Sequence, residues 1–524
     1  MRTLILLPLI LCHYVASTYQ VQTRPTKQPT MVIIGAGISG LATADTLINK
    51  YKFKNVTILE ALNRVGGRIH PVPFGDNEGY IQLGAQWLHH RHNPVFEMAL
   101  KLGLIPNSEV EPDEFFDDIR FIDQNGCDVP EKLHQAYVNF AEESFKKTED
   151  WENERKQSLK PTSYGDLMEK LYQRFLNKKR HNETERKIFD AMFHSTKSAI
   201  ENYYAAEDWK LISIRGPIQS TDTSSSSEDN STESEDDDEG PISISMNRIG
   251  YKGILNEMTR RVPPSKYIQF NSRVQHIRWN NGSYVDVELV NGQVISADHV
   301  IITCSLGHLK HYGRQLFVPP LPKRKMDVID ALGFGAVDKL FLIFDKPYWS
   351  NETFDVFLIR VDSNALLRTC SQSPPLIESN LTRMMEVALA SQMPPMLLVI
   401  ISGRDPAQFE NYTDAQVAEE AATLLRKYLN NPSIPKPRIM RSSWYSNPLF
   451  HGSYSYDSID CEKTKCNRRV LLEPLFTVKR ERKVPVVLFA GEATNPIHYS
   501  TVHGAFLSGV READRLAKLY GYEI

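Results

Sequence analysis

The run Met31-Val32-Ile33-Ile34-Gly35-Ala36-Gly37-Ile38-Ser39-Gly40 decides the architecture of this chain. Four apolar residues in succession suit a strand buried on both faces. They run directly into G-x-G-x-x-G, and a helical pattern begins near Ile38. Residues 56–60 form a second apolar strand, so the segment reads strand, turn, helix, strand. In such a unit Gly35 permits the tight turn, Gly37 lets the backbone approach a pyrophosphate, and Gly40 lets helix and strand pack closely. The helix start adds free N–H donors and the positive end of its dipole. Glu60 ends the second strand about twenty residues further on, where an acid binds ribose hydroxyls. A glycine motif alone would fit any tight turn; strand, helix, second strand and acid together predict a dinucleotide site.

Outward from Glu60 comes Ala61-Leu62-Asn63-Arg64-Val65-Gly66-Gly67-Arg68. Arg64, Gly67 and Arg68, just past the ribose-binding acid, suit a second pass of chain over the pyrophosphate and favour FAD over NAD. At the far end, Phe489-Ala490-Gly491-Glu492-Ala493-Thr494 sets a buried strand, Gly491 and Glu492 ahead of a final helix expected over about 504–519. The 524 residues between these limits are too many for one compact domain. A hydrophobic share of 41% is enough for a large core and excludes wholesale disorder. A net charge of −3 gives no electrostatic footprint for nucleic acid. No apolar run reaches the ~20 residues a membrane-spanning helix needs.

Residues 1–18 open with Met1-Arg2, continue through an apolar stretch over 4–15, and end Ala16-Ser17-Thr18. That is the grammar of a secretory signal peptide, and it predicts a secreted or lumenal protein; an uncleaved anchor or a plain leader is the other reading. Sequons at Asn182, Asn230, Asn281, Asn351, Asn380 and Asn411 agree with a glycoprotein, whereas Asn55 begins a buried strand and is not expected to be used. Six cysteines are too few for a disulfide scaffold. Cys461 and Cys466 flank a polar loop and could bridge; Cys304, in an apolar run, reads as a buried small hydrophobe. There is no C-x-x-C pair. His89, His90 and His92 lie close together, but no thiol or acidic ligand set accompanies them, so they read as solvated loop histidines and no metal is expected.

Residues 93–204 carry a helical pattern. Residues 220–241, serine-rich and then acidic, have no apolar face and read as a disordered insert. Strands follow at 274–279, 284–290 and 293–297, with Asn291-Gly292 as a hairpin turn. Further apolar strands are expected at 300–303, 337–344, 396–402 and 484–490. An amphipathic helix spans 414–428, started by Thr413 or Asp414. Within 337–344, period-two alternation puts Lys339 on the face of Phe341 and Ile343. Burying an ammonium there costs several kcal/mol unless it is paired, neutralised or hydrated. If the strand instead begins at Lys339, the side chain reaches solvent.

Residues 35–40, Glu60, residues 64–68, Gly84-Ala85-Gln86-Trp87-Leu88-His89, residues 489–494 and Ser500-Thr501-Val502-His503-Gly504-Ala505 resemble, in this order, the flavin-containing amine oxidases. Trp444-Tyr445-Ser446-Asn447-Pro448 and Gly452-Ser453-Tyr454-Ser455-Tyr456 resemble the animal spermine and N1-acetylpolyamine oxidases in particular. The resemblance implies an α/β fold in which a Rossmann-like FAD-binding domain is built from residues 31–95, 242–310 and 480–524. A substrate domain of mixed sheet and helices would take 96–219 and 311–479.

The same resemblance implies FAD as cofactor, with Gly84, Ala85, Gln86, Trp87, Val274, Thr501 and Val502 joining the motif residues around it. It makes Lys339 the lysine that holds a water beside the flavin, and His89 a histidine at the amine-binding end of the tunnel. The position after that histidine is usually glycine, and His90 departs from it. Ser500 and Thr501 stand where plant enzymes carry a tyrosine at the second position, and they would equally suit a helix cap. Glu201 could pair with a distal ammonium or simply end a surface helix; Tyr454 is placed with the substrate. The implied reaction is oxidation of a polyamine (spermine, spermidine or an N1-acetyl form) by O2 to an aldehyde, a shorter amine and hydrogen peroxide. Two rivals stand beside it. One is a secreted L-amino-acid oxidase, which needs an arginine for the substrate carboxylate. The other is a flavin-binding protein without oxidase activity.

Overall fold

The computed structural model describes residues 28–75, 79–105, 120–154, 161–214, 243–281, 284–349, 355–361, 379–385, 389–392, 395–479 and 481–523. The expected signal segment 1–18, the acidic insert 220–241 and the sequons at Asn230 and Asn351 lie outside these residues.

The strand Thr30–Ile34 sits inside a six-stranded sheet, between Asn55–Leu59 and His299–Ile302, both parallel to it. Arg482–Phe489 adds a further parallel strand beside His299–Ile302, Leu475–Lys479 pairs antiparallel at that edge, and Ile268–Gln269 closes the other edge. Met31, Val32 and Ile33 are wholly buried, as expected of a parallel strand covered on both faces. One face is covered by the helices Ile38–Asp45, Tyr251–Arg261 and Val502–Leu519. The first and last of these cross closely. A Cβ on Gly509 would collide with the Ser39 carbonyl, Ser39 and Ser508 hydroxyls meet at 3.2 Å, and the Thr43 hydroxyl donates to Gly509 O at 3.2 Å.

A four-stranded sheet, Val294–Ala297, Tyr284–Leu289, Val274–Asn281 and Phe317–Val318, covers the other face. A second six-stranded sheet runs Arg438–Arg441, Asp338–Ile343, Met396–Ile401, Leu389–Gln392, Asp355–Ile359 and Arg120–Asp123. Asp338–Ile343 is buried throughout. Asp414–Tyr428 packs on this sheet, and Thr413 is its cap, in a capping box with Gln416. The helices Glu131–Glu154, Tyr164–Lys178 and Glu183–Tyr204 form an aromatic-rich layer beside it.

Residues 93–204 are thus not wholly helical. Arg120–Asp123 is a strand at the edge of the second sheet, parallel to Asp355–Ile359. Phe121 packs into the helical layer and Ile122 into the opposite cluster, so both faces are apolar and four residues carry no period. Cys461 and Cys466 are disulfide-bonded across a single helical turn and its end.

Candidate active site

A cavity of about 1840 Å³ opens at the carboxyl ends of the parallel strands. An ordinary small-molecule site holds ~300–1,000 Å³, so this space suits a dinucleotide together with a second, smaller molecule. The strand Thr30–Ile34 delivers the glycine turn to it. Gly35 has φ +106°, and its N–H donates to Leu59 O at 2.8 Å. Gly37 caps the helix Ile38–Asp45 without any side chain, so the helix start faces the cavity bare. A Cβ on Gly37 would find only Gly66 O, at 3.9 Å, whereas one on Gly40 would collide with Gly35 O. Gly37 therefore keeps ground open for a ligand, and Gly40 serves packing. A Cβ on Gly491, φ +109°, would likewise meet nothing nearer than 3.7 Å.

Glu60 accepts from Ala36 N at 2.6 Å and Leu62 N at 2.8 Å, and it lines the cavity. Burial raises its pKa against these two N–H donors. Gly67 and Arg68 also line the cavity. Arg64 does not. Its guanidinium turns into its own loop and donates to the carbonyls of Val65, Gly67 and Ile69 at 3.0–3.4 Å. Half-buried and bonded to three carbonyls of its own loop, it organises that loop and is not part of the described cavity wall, contrary to the sequence expectation.

Arg68 donates to Ser453 O at 2.7 Å and pairs with Glu492 at 2.9 Å. Glu492 also accepts from the Ser455 hydroxyl at 2.7 Å and from Ser500 N at 3.0 Å. Burial alone would raise its pKa; the Arg68 charge, the hydrogen bonds and Arg468 outweigh burial and hold it below the usual range. Gly84, Ala85, Gln86, Trp87, Val274 and Val502 all reach the cavity wall.

Lys339 is 6% exposed and reaches the same cavity from the second sheet. The strand does not begin there, so the solvent-reaching alternative fails. Its Nζ donates to Gly84 O at 2.8 Å, Gln86 Oε1 at 2.7 Å and Gln82 O at 3.3 Å, and lies 4.7 Å from the centre of the Trp87 ring. Burial pulls its pKa down to about 7, while three carbonyl-type acceptors match the three donors of the protonated form. Its backbone N–H donates to the Ser442 hydroxyl, which donates in turn to Asp338.

His89, on the short strand Leu88–His89, lines the cavity with Nδ1 at 3.3 Å from the Ser243 hydroxyl. Burial, then His90, brings its pKa to about 4, so the imidazole is neutral. Thr501 caps the helix Val502–Leu519, accepting from Gly504 N at 2.9 Å, while Ser500 donates to Ser455 O. Both face the cavity as well, so cap and wall coincide. Tyr454 lines the cavity and donates to Asn202 O at 2.5 Å.

Glu201 is not on the wall, although Ile200, Asn202 and Tyr203 are. It is buried with its carboxylate toward Trp209 N, 3.2 Å, and Lys197, 3.5 Å, and burial raises its pKa to about 7. Its hydrogen bond from Trp209 N and its pairing with Lys197 hold the carboxylate away from the space its neighbours line, against the expected tunnel role and against the surface helix end that was its alternative. Cys304 is half-buried, because it opens onto the cavity; burial first and Glu60 second push its thiol up to about 12, which keeps it unreactive.

Arg273 and Glu142 line the cavity and escaped the sequence reading. Ser455 and Trp444, quoted there only for the resemblance, are on the wall too, and Trp444 donates its indole N–H to Leu83 O at 3.0 Å. The histidine expectation also changes. His92 is exposed, but His90 meets His498 and His503, residues some four hundred positions later, with ligand nitrogens within 4.8 Å of one another. Of the three histidines read as solvated loop residues, His92 is the exposed one, while His89 and His90 are half-buried on the cavity wall.

A family model, flavin containing amine oxidoreductase, matches residues 38–517. The chain belongs to that family. The amine oxidoreductases of this family use FAD, and the open ground at Gly37 and Gly491, the bare helix start and Glu60 fit that group. The chain is 28% identical to the bovine peroxisomal N(1)-acetyl-spermine/spermidine oxidase over 95% of its own length and 96% of the relative's. Its identity to the human protein of the same name is 27%, over 95% and 96%. It is 28% identical to rice polyamine oxidase 1 over 94% and 98%. The bovine and human amine oxidoreductases are peroxisomal by name, which overturns the expectation of a secreted or lumenal protein. Among the described residues no helix is long and apolar enough to cross a membrane.

Proposed function

We propose that this amine oxidoreductase oxidises a secondary amine of a polyamine, free or N1-acetylated. Amine, O2 and water give an aldehyde, a shorter amine and hydrogen peroxide. FAD, which Gly35, Gly37, Glu60 and Gly491 would hold, would supply the two-electron redox chemistry between the amine and O2. The rest falls to the protein: it binds, orients and excludes water. The described residues within 31–95, 242–310 and 480–524 hold the nucleotide, and those within 96–219 and 311–479 frame the amine.

The observation that carries this reading is the cavity wall beyond the glycine turn. Phe145, Tyr164, Ile200, Tyr204 and Tyr454 offer apolar surface for methylene chains, and Glu142 adds a carboxylate for an ammonium. His89, held neutral by burial on the cavity wall, offers a ring nitrogen that can accept a hydrogen bond from a bound amine. Lys339 holds or moves a proton at Nζ, within reach of Gln86 and Trp87. Among the described wall residues the arginines are Arg68, committed to Glu492, and Arg273, next to Ser272, whose N–H donates to Glu60 O at the nucleotide end. That disposition argues against an amino-acid substrate.

A peroxide assay on the yellow protein with spermine, spermidine, N1-acetylspermine and leucine tests the proposal. Peroxide from at least one polyamine and none from leucine is expected. Turnover of leucine alone would replace the reading with the amino-acid oxidase, and flavin without turnover would replace it with the silent binder.

A further inference from the structure

His90, His498 and His503 reach one place from two distant stretches of chain. His503 is buried in the first turn of the helix Val502–Leu519, with Nε2 at 3.4 Å from the Thr501 hydroxyl. His90 and His498 are half-buried on loops, and both face the cavity. Ring centres lie 5.7 Å apart for His90 and His498, 5.6 Å for His90 and His503, and 4.7 Å for His498 and His503. His90 has φ +61°, in the left-handed region where glycine sits without strain. The chain nonetheless places an imidazole there.

We propose that His90, His498 and His503 form a binding site for one divalent transition-metal cation of the zinc and copper(II) class, its open coordination position facing the cavity. Three imidazoles with no thiolate suit zinc, copper(II), nickel or cobalt; calcium and magnesium want oxygen ligands. Tetrahedral zinc at ~2.0–2.1 Å from each nitrogen sets the nitrogens ~3.3 Å apart. Their present spread of up to 4.8 Å closes by rotation of the two loop side chains toward His503, which the helix holds in place. Three protein ligands leave a fourth position for water or a cavity molecule. A dication on this wall repels an incoming ammonium, so occupancy raises the apparent KM for amine. That consequence rests on the proposed function; the metal site itself does not.

The FAD-loaded protein, stripped with chelator, is titrated with zinc sulfate by calorimetry and with copper sulfate under electron paramagnetic resonance. One zinc per chain, saturating at or below about 10 µM, is expected. The copper spectrum should show nitrogen splitting from imidazoles. His90→Gln and His498→Gln should each weaken zinc at least ~10-fold. If His498→Gln loses its flavin or melts early, His90→Gln and the copper spectrum decide. Lack of saturable zinc binding up to about 100 µM, unchanged affinity in His90→Gln, or copper without nitrogen splitting would overturn the site. Zinc that binds through these residues but leaves the KM for polyamine unchanged would overturn the competition and leave the site standing.

Discussion

Lys339 Nζ donates to the carbonyl oxygen of Gly84 at 2.8 Å, a bond between residues 255 apart in sequence. It fastens the buried strand of the mixed sheet to the loop that crosses from the nucleotide-binding segments. Lys339 is therefore both a tether and a proton-bearing group on the cavity wall.

Lys339→Met should keep fold and flavin, since methionine roughly matches the lysine stem. Turnover should fall at least ~10-fold, mainly in kcat, because general acid–base help is made in the transition state. Anaerobic stopped-flow reduction and reoxidation by O2 locate the defect. Wild-type rates in both phases would remove Lys339 from the chemistry.

Lys339 also predicts a pH effect on stability. Its folded pKa, about 7, lies below its ordinary value of 10.5. Between the two, the unfolded chain binds more protons than the native one, so stability rises with pH across that window. Lys339→Met lacks this slope. The difference in unfolding free energy between wild type and variant should therefore shift toward wild type from about pH 7 upward. Parallel urea-unfolding curves at each pH would mean that Lys339 titrates normally.

Gly37→Val should abolish FAD retention while leaving the fold intact. The new side chain enters cavity space, with only Gly66 O within 4 Å of its Cβ. Absorbance at the flavin bands after desalting reads the outcome; a fully yellow variant contradicts it.

Glu492→Gln removes the buried partner of Arg68 and weakens the acceptor for Ser455 and Ser500. A loss of about 3 kcal/mol in unfolding free energy is expected, the usual penalty for breaking a buried pair. Because the Glu492 pKa is depressed, its contribution is present above the ordinary carboxylate pKa and is lost as pH falls through the folded value. The gap between wild type and variant should shrink in acid.

Glu201→Gln tests the placement of that carboxylate. The amide mimics the protonated acid that burial already favours, so thermal stability should hold. The KM for spermine should stay within about two-fold. A ten-fold rise would return Glu201 to the amine's path.

The turn at Gly35–Gly40 and the acid at Glu60 were legible because a dinucleotide imposes local rules: residue types at fixed offsets inside one supersecondary unit. Lys339 was legible for a related reason, as one charge in an apolar period. Arg64 and Glu201 misled because composition tells which side chains are near a site and not which way they turn. Arg64 had carbonyls of its own loop to bond, and Glu201 had Trp209 N and Lys197, while its neighbours face the cavity. Arg120–Asp123 was read as helix because four residues with both faces buried show no period. The grouping of His90 with His498 and His503 depends on tertiary contact across most of the chain, which no local pattern records.

The crossing of Ile38–Asp45 with Val502–Leu519 has a consequence for synthesis. The central strand is made early, yet its neighbours at His299–Ile302 and Arg482–Phe489, and the helix that seals Ser39 and Thr43, leave the ribosome hundreds of residues later. At ~5–20 residues per second that interval is on the order of tens of seconds. Over that time the nascent strand Thr30–Ile34 has one parallel partner, Asn55–Leu59, and an uncovered apolar edge. The nucleotide cleft therefore stays incomplete until residues 482–519 have been made, and the waiting segment is a natural client for a chaperone.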